Sequence, residues 1–231
     1  MSRSLQELLA VPDPAWPMVT GWIGAAQVPV EVLPVDEERR GQALLESQVT
    51  VSSPMGAVIY NTGGILINCG WLRILGSGHA KFRRTLPGWN HDCAGAFERK
   101  PPKLLLVADD VVGGFFALNG GEFQGALGAV FYFAPDTLRW KAMSGMTYSQ
   151  FLIWSVSSAI KQFYLNMYWN GWESEVSTLS GDETLSIYPF PFTAEGKNIA
   201  VCARRPCPVS EIFSLNVIDL PRQLTGAEQQ A

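Results

Sequence analysis

Apolar residues in the first third of the chain recur at helical spacing. Leu5, Leu8 and Leu9 occupy positions i, i+3 and i+4 of a short amphipathic stripe. Further along, small polar residues that favour helix starts precede apolar segments, two of them directly before proline. These N-cap signals stand at Asp13, Asp36 and Ser53. The pattern predicts an N-terminal helical region, in which Pro29 and Pro34 bound an extended link.

The middle of the chain changes to short apolar runs bounded by Gly, Asp, Asn or Pro. Such runs are typical of strands in an antiparallel meander. The predicted strands cover residues 65–68, 71–75, 104–108, 114–118, 129–134 and 137–141. Residues 76–103 separate the second run from the third and are predicted to form a long loop. Long loops inside compact domains are often functional.

Helical signals return after the strands. Thr147 and Gln150 form a capping box before an apolar helix, and a second helix is predicted over residues 172–179. The chain then becomes rich in proline, which predicts extended structure over residues 188–192. We therefore expect one domain, with an α+β core over residues 1–180 and a Pro-rich extension over residues 181–231 packed on it.

The composition limits the classes of function and partner that the protein can have. The 231 residues include only 16% charged residues and 47% hydrophobic residues, and the formal net charge is −4. Seventeen basic residues in an acidic chain argue against a nucleic-acid partner. No apolar run reaches the length of a membrane span or a signal peptide. We expect a cytoplasmic protein that has no membrane partner; the sequence leaves its oligomeric state open.

Candidate chemistry in the sequence is sparse. Glycines over residues 113–128 match neither a dinucleotide fingerprint nor a phosphate loop. The two histidines, His79 and His91, and the scattered cysteines lack the spacing of a zinc site. His91 beside Cys93 and His79 beside Ser77 suggest nucleophile pairs, but sequence neighbours rarely reach catalytic geometry. We therefore predict no catalytic residues, no metal and no cofactor.

Asp109 and Asp110 follow an apolar strand and have two interpretations. Two carboxylates at a strand end can hold a metal or act as acid and base. Adjacent strand residues point to opposite faces, however, and Asp is a common turn former. The turn is the favoured interpretation.

Aromatic residues are abundant, with eight Trp in the chain. The segment 168–172 carries three aromatic residues in five, so we expect part of its aromatic surface to be exposed, as at interface centres. The basic residues of the predicted loop are interpreted as a solvated rim. They are Lys81, Arg83, Arg84, Arg99, Lys100 and Lys103.

Several motifs carry a family resemblance. They are the run Tyr60–Ile67, the run Gly70–Gly78, the run Leu106–Gly121 and the run Val130–Leu138. With them the chain resembles, from Leu8 to about Leu215, the bacterial family catalogued as domain of unknown function 2625. Cys69 departs from the His that the resemblance implies, which argues against an obligatory base at this position.

More distantly, the middle of the chain resembles the SUKH superfamily in the order of its elements. The corresponding segments are Asn61–Gly64, Leu104–Gly114, Ala129–Lys141 and Tyr148–Trp154. The resemblance implies an α+β fold with a mixed, mostly antiparallel sheet flanked by N-terminal and C-terminal helices. Its bacterial members are largely immunity proteins that neutralise toxins.

Three functional hypotheses follow. The first is a non-enzymatic protein-binding module of the immunity type, whose partner is a protein toxin or another protein. Its candidate partner-binding residues are Asp109, Asp110, Asn119 and Glu122. The alternative is a small-molecule-binding protein or a hydrolase that uses the 76–103 loop, with His79, His91 or Asp92 as its reactive residues. The third hypothesis is a housekeeping adaptor that has no toxin as its partner.

Overall fold

Seven strands form one sheet in which every strand lies beside its neighbours in sequence. The computed structural model of the chain describes residues 2–97 and 100–228. All six pairings within the sheet are antiparallel. The strands are β1 Val30–Leu33, β2 Gly64–Ile67, β3 Leu72–Leu75, β4 Leu104–Asp110, β5 Phe115–Asn119, β6 Val130–Ala134 and β7 Arg139–Ala142. The predicted α+β class and antiparallel meander are confirmed.

A separate antiparallel hairpin follows the large sheet in the chain. It consists of β8 Glu183–Tyr188 and β9 Ala203–Pro208. The backbone N–H of Leu185 donates to the carbonyl of Val111 at 2.9 Å, beyond the end of β4. The hairpin is therefore attached to the sheet near the turn that joins β4 to β5.

Helices surround the sheet. They are α1 Leu5–Leu9, α2 Trp16–Gly24, α3 Glu37–Ser47, α4 Pro54–Asn61, α5 Leu86–Gly95, α6 Tyr148–Val156, α7 Ala159–Phe163, α8 Trp172–Val176, α9 Val209–Phe213 and α10 Leu220–Glu228. A π-helical segment, Ser214–Asp219, joins the last two. None of the helices in the described part of the chain is long and apolar enough to cross a bilayer.

Three of the four predicted N-caps stand at helix starts in the structure. Asp36 accepts a hydrogen bond from the backbone of Glu38 at 3.0 Å, and Ser53 accepts one from Gly56 at the same distance. Thr147 and Gln150 form the predicted capping box of α6. The cap predicted at Asp13 is wrong, because α2 begins at Trp16 and has no side-chain cap. Its start is marked only by a proline in the first turn.

The prediction of one long loop over residues 76–103 is also wrong. Residues Leu86–Gly95 form α5, and the Thr85 hydroxyl caps it by accepting the N–H of Gly88 at 3.0 Å. The Pro87-Gly88 pair resembles loop sequence. Proline at the first turn of a helix is nevertheless favourable, because its missing N–H would have had no helical partner.

The sheet has two faces with different coverings. Residues directly opposite on neighbouring strands share a face, so Ile65, Ile74 and Ala108 lie together on one side. We call this side the helix face, because Phe116 continues it and packs on Phe151 of α6 with ring centroids 5.0 Å apart.

The opposite side is the hairpin face. Leu66, Arg73, Asp109 and Phe115 lie across from one another on it. It is covered in part by α9, since the ring of Phe213 lies 5.2 Å from that of Phe115. The β8–β9 hairpin and α5 complete this layer.

The aromatic segment 168–172 belongs to the core. Trp169 and Trp172 are buried and Tyr168 is half-buried. Four rings surround the buried Trp71, with centroids 4.6–5.5 Å from its own: Tyr164, Tyr168, Trp169 and Trp172. The predicted exposed aromatic surface is therefore largely absent here, because the segment packs around Trp71.

Candidate functional site

Asp109 lies at the centre of a buried ion network on the hairpin face. Arg73 stands opposite it on β3 and donates through both Nε, at 2.7 Å, and Nη2 to Oδ1. Arg84 donates from Nη1 to the other carboxylate oxygen at 2.6 Å. The Arg73 and Asp109 side chains are at most 2% exposed. Both carboxylate oxygens of Asp109 therefore accept hydrogen bonds from partners inside the protein.

The same network holds the segment that leads into β8. Arg73 Nη1 donates to the carbonyl of Glu183 at 2.5 Å, and Arg84 Nη2 donates to that of Gly181 at 2.7 Å. Arg84 Nε also pairs with Asp182 at 3.3 Å. The two buried guanidinium groups, of Arg73 and Arg84, thus face the two carboxylates of Asp109 and Asp182, and the exposed Arg83 also pairs with Asp182. The arrangement attaches the C-terminal hairpin to the sheet.

Asp110 faces the other side of the sheet and has different partners. Its Oδ1 accepts the backbone N–H groups of Val112 and Gly114 at 3.0 and 2.7 Å. Its Oδ2 accepts the hydroxyls of Tyr132 and Tyr164 at 2.8 and 2.9 Å. Burial is the largest influence on the carboxyl and raises its pKa. Asp110 thus anchors a turn, as predicted, whereas Asp109 does not.

Asn119, the third predicted partner-binding residue, is also internal. Its Oδ1 accepts the N–H groups of Gly121 and Phe123 at 2.9 and 3.0 Å, and the residue is 2% exposed. Asp109, Asp110 and Asn119, which the sequence analysis predicts to contact a partner, are all buried in the structure, so none of the three lies at the surface. Glu122 is exposed and accepts the backbone N–H of Lys103 at 2.9 Å.

The residues proposed for hydrolysis are not assembled into a reactive group. His79 Nδ1 accepts the backbone N–H of Lys81 at 3.1 Å, and the Ser77 hydroxyl donates to the Thr62 carbonyl at 2.9 Å. His91 and Asp92 are exposed on α5. Over residues 2–97 and 100–228, no hydrogen bond links either His to a Ser or Cys side chain.

Among the described residues, the buried Cys93 and the possible metal ligands do not form a reactive or metal-binding group either. Burial raises the pKa of the Cys93 thiol well above its usual range, which keeps the sulfur protonated and unreactive. Among the described residues, no group of three or more His, Cys, Asp or Glu is placed to hold a metal ion.

The basic residues of segment 81–103 do not form a uniform rim. The side chain of Arg83 is 78% exposed, but that of Arg84 is only 11% exposed because it enters the ion network. Lys81, Lys100 and Lys103 are exposed. Arg99 lies outside the described residues.

A cleft of about 560 Å³ opens beside the ion network. It lies between the hairpin-face side of β1–β3 and the segment Val176–Gly181 that follows α8. Its polar or ionisable lining comes from Glu31, Cys69, Arg73, Lys81, Ser177, Thr178 and Ser180. The apolar lining consists of Pro29, Val30, Leu66, Val176 and Leu179. The volume is within the usual range for ligand sites, about 300–1,000 Å³.

The β2–β3 turn forms part of the cleft wall. Asn68, Cys69 and Gly70 have φ values of 52°, 60° and 85°, the left-handed region that a tight hairpin turn requires. The Asn68 amide donates to the hydroxyl of Tyr168 at 2.9 Å and so fixes the turn. Burial raises the pKa of the Cys69 thiol, which makes this sulfur a weak nucleophile.

Sequence reasoning missed the cleft. A usable signal was present in the charged residues Glu31 and Arg73, which interrupt otherwise apolar strands. Register was needed to show that they share a face, because each is opposite Leu66 on β2. The closing segment Val176–Gly181 is distant in sequence and carries no motif.

Comparison with known proteins places the chain among bacterial relatives. A protein of Haemophilus influenzae (strain Rd), described as uncharacterised, is 40% identical over 187 residues, which are 81% of this chain and 82% of that protein. The uncharacterised protein YbfG of Escherichia coli K12 is 42% identical over 190 residues, 81% of this chain and 85% of its own length. The family described as "Protein of unknown function DUF2625" matches residues 5–212. The chain therefore belongs to the DUF2625 family, as its motifs suggested.

Proposed function

We propose that the protein is a non-catalytic binding protein whose ligand is a small molecule held in the 560 Å³ cleft. The observation that carries the proposal is the cleft itself, in which mainly apolar walls surround a few polar groups. Ligand sites commonly have this composition, since apolar area supplies affinity and the polar groups fix orientation. The proposal corresponds to the small-molecule alternative of the sequence analysis, although segment 76–103 contributes only Lys81 to the cleft and none of His79, His91 and Asp92.

The arrangement of reactive side chains supports binding rather than catalysis. A nucleophile needs a base within hydrogen-bond reach and a third group that orients the base. Cys69 lines the cleft, and its pKa is shifted upward, away from the reactive thiolate. The hydroxyls of Ser177 and Thr178, which also line it, donate to the backbone carbonyls of Ser174 and Glu175 rather than to a base. The guanidinium of Arg73 is occupied by Asp109.

The immunity-type interpretation finds less support. Three of its four contact residues are buried, and the aromatic segment 168–172 packs inside. Exposed aromatic anchors at the centre of a polar rim are typical of protein interfaces. Neither the DUF2625 description nor the names of the two relatives mention a toxin or another partner.

Leu66→Trp tests the proposal. Leu66 lines the cleft and is half-buried, so a larger ring fills the space without removing a core side chain. The wild-type protein and the variant are dialysed against the small-molecule fraction of an Escherichia coli extract, and the retained compounds are identified by mass spectrometry. We expect compounds enriched by the wild type and lost, at least tenfold, with Leu66→Trp.

Leu165→Trp is the matched control, because Leu165 is 60% exposed and does not line the cleft. Leu179→Trp blocks the opposite wall and serves if Leu66→Trp does not fold. Absence of any enriched compound with the wild type overturns the proposal. Equal enrichment by wild type and a folded cleft-blocking variant overturns it as well.

A further inference from the structure

We propose that the protein forms a two-fold symmetric dimer through the outer surface of α2 and α6. We call this surface the helical layer. It lies on the helix face of the sheet, whereas the cleft opens on the hairpin face, so the dimer goes beyond the proposed function and does not depend on it. The inference rests on the composition of the layer, on the hydrogen bonds of its hydroxyls and on one exposed glycine.

The two helices lie side by side over the helix face. The backbone N–H of Gln27, just after α2, donates to the carbonyl of Val156 at the end of α6 at 2.8 Å. The Gln27 side chain accepts the N–H of Ser158 at the same distance. Both helices also line one small cavity together with Ile65 and Ile74 of the sheet. Their outer sides are therefore adjacent parts of one surface.

The helical layer differs from the rest of the chain in charge. Residues 14–30 and 142–160, which contain α2 and α6, include no Asp, Glu, Lys, Arg or His, although 16% of the whole chain is charged. A helix that faces solvent ordinarily carries charged residues on its outer side. The cores of protein–protein interfaces are instead depleted of Lys, Glu and Asp and enriched in Trp and Met. The two segments therefore have the composition of an interface.

Large apolar side chains reach the surface of this layer. Met18 on α2 is 47% exposed, and Ile153 on α6 is 44% exposed. Three of the eight Trp are half-buried on the same helices: Trp16, Trp22 and Trp154. Single exposed apolar residues are normal in monomers, but a group of them on adjacent helices indicates an interaction site.

Hydroxyl groups of the layer donate to its own backbone. The Thr20 hydroxyl donates to the carbonyl of Pro17 at 2.9 Å, and the Ser157 hydroxyl donates to that of Trp154 at 2.8 Å. Burial of a polar group is costly when its hydrogen bond to water is not replaced. These two hydroxyls keep their hydrogen bonds when the layer is covered, so they oppose dimerisation little.

Gly21 supplies a further observation. It is exposed inside α2, and among the described residues no atom lies within 4 Å of the Cβ that another residue would have there. Glycine makes a helix interior less stable than alanine does. Packing within the described part of one chain therefore gives no reason for glycine here. Close approach of a second backbone does, because glycine has no side chain to hold it away.

A second copy of the chain is the partner that this surface fits. In a two-fold dimer the same surface contacts itself. The helical layer can do so without placing like charges opposite each other or burying an unpaired charge. A membrane fits less well, because Asp13 and Glu31 bound the uncharged segment that contains α2. Interfacial helices instead use Lys and Arg towards anionic lipids.

Sedimentation velocity of the full chain tests the inference between about 1 and 200 µM. We expect a reversible dimer with a Kd below about 10 µM. Raising NaCl from about 50 to 500 mM should change the Kd less than about threefold, because the layer has no ion pair to screen. A chain that stays monomeric over the whole range overturns the inference, as does a monomer that binds vesicles of phosphatidylglycerol.

Charged substitutions assign the dimer to the layer. Met18→Glu and Ile153→Glu should each raise the Kd at least about tenfold, because dimerisation then buries an unpaired charge. Val201→Glu is the matched control, since Val201 is 77% exposed in the connection between β8 and β9, and it should leave the Kd unchanged. Thermal unfolding followed by circular dichroism shows whether each variant is folded. An equal rise with Val201→Glu, or no rise with the two folded layer variants, overturns the inference.

Gly21→Leu separates an interface from a structural role within one chain. In the Ile153→Glu background, where the dimer is weak, it should raise the Tm, because leucine favours a helix more than glycine does. In the wild-type background the same substitution should raise the Kd at least about tenfold, because the new side chain holds the second backbone away. Dimerisation that Gly21→Leu leaves unchanged overturns the inference.

Discussion

Two neighbouring aspartates anchor opposite faces of the sheet by different chemistry. Asp109 is held on the hairpin face by two guanidinium groups, whereas Asp110 is held on the helix face by two tyrosine hydroxyls and two backbone amides. The carboxylate of Asp109 holds an ion network that extends to the β8–β9 hairpin, which comes late in the chain. The second secures a local turn against an aromatic layer. Buried charge is therefore used here to attach one part of the molecule to another.

Asp109→Ala should give the largest effect. It leaves Arg73 without its carboxylate in a buried site and also removes a partner of Arg84, because both guanidinium groups share Asp109. Breaking a buried ion pair on one side typically costs about 3–5 kcal/mol in the free energy of unfolding. Urea denaturation measures this loss. Hydrogen exchange should rise first at the N–H of Leu185, which bonds to Val111.

Asp136→Ala is the control, since Asp136 is exposed and should change stability by less than about 0.5 kcal/mol. A loss below about 1 kcal/mol for Asp109→Ala would contradict the role assigned to the network. If hydrogen exchange in Asp109→Ala rose more in α6 than at the N–H of Leu185, Asp109 would not act mainly on the hairpin face.

Asp110→Asn should have a smaller effect that depends on pH. The folded protein raises the pKa of Asp110, with burial as the main cause, so its neutral form is favoured by folding. The stability that this group contributes is complete below its unfolded pKa, about 3.9, and decreases as pH rises through the folded value. The free energy of unfolding of the wild type, minus that of Asp110→Asn, should therefore fall as the pH rises above about 4.

Denaturant titrations of both proteins across that range provide the measurement. Subtracting the variant cancels the other titrating groups that the two proteins share, including those of the ion network. A difference that increases with pH would show that hydrogen bonds from Tyr132 and Tyr164 outweigh burial.

Arg83→Ala should give the smallest effect and provides a matched comparison with Arg84→Ala. Both residues pair with Asp182, but the Arg83 side chain is 78% exposed and that of Arg84 is 11% exposed. An exposed pair contributes less than about 1 kcal/mol. Thermal or urea unfolding should show a several-fold larger loss for Arg84→Ala. Equal losses would mean that burial does not determine the strength of this network.

Local sequence signals predicted much of the fold. Strand positions followed from apolar runs such as 104–108 and 129–134, and helix starts followed from caps such as Asp36 and Thr147. These features depend on residues within a few positions of one another. The start of α2 and the presence of α5 were missed, because the first lacks a capping side chain and the second begins with a sequence typical of loops.

The site was harder to predict because it depends on contacts between distant residues. Asp109 meets Arg73 across 36 positions, and Arg73 meets Glu183 across 110. The alternation of strand side chains did predict that Asp109 and Asp110 diverge. It could not show that the polar side chains, including Asn119, find internal partners. The assumption that polar turn residues are exposed was the source of the error.

The sequential order of the seven strands has a consequence for biosynthesis. Each strand from β2 to β7 pairs with the strand that precedes it in the chain, so the sheet can grow strand by strand as the chain leaves the ribosome. Arg73 and Asp109 neutralise each other within this growing sheet. The hairpin that covers them is synthesised more than 70 residues after Asp109, as the span from Asp109 to Asp182 shows. When the hairpin covers the sheet, it therefore removes from water two charges that are already paired, and an unpaired buried charge would cost far more.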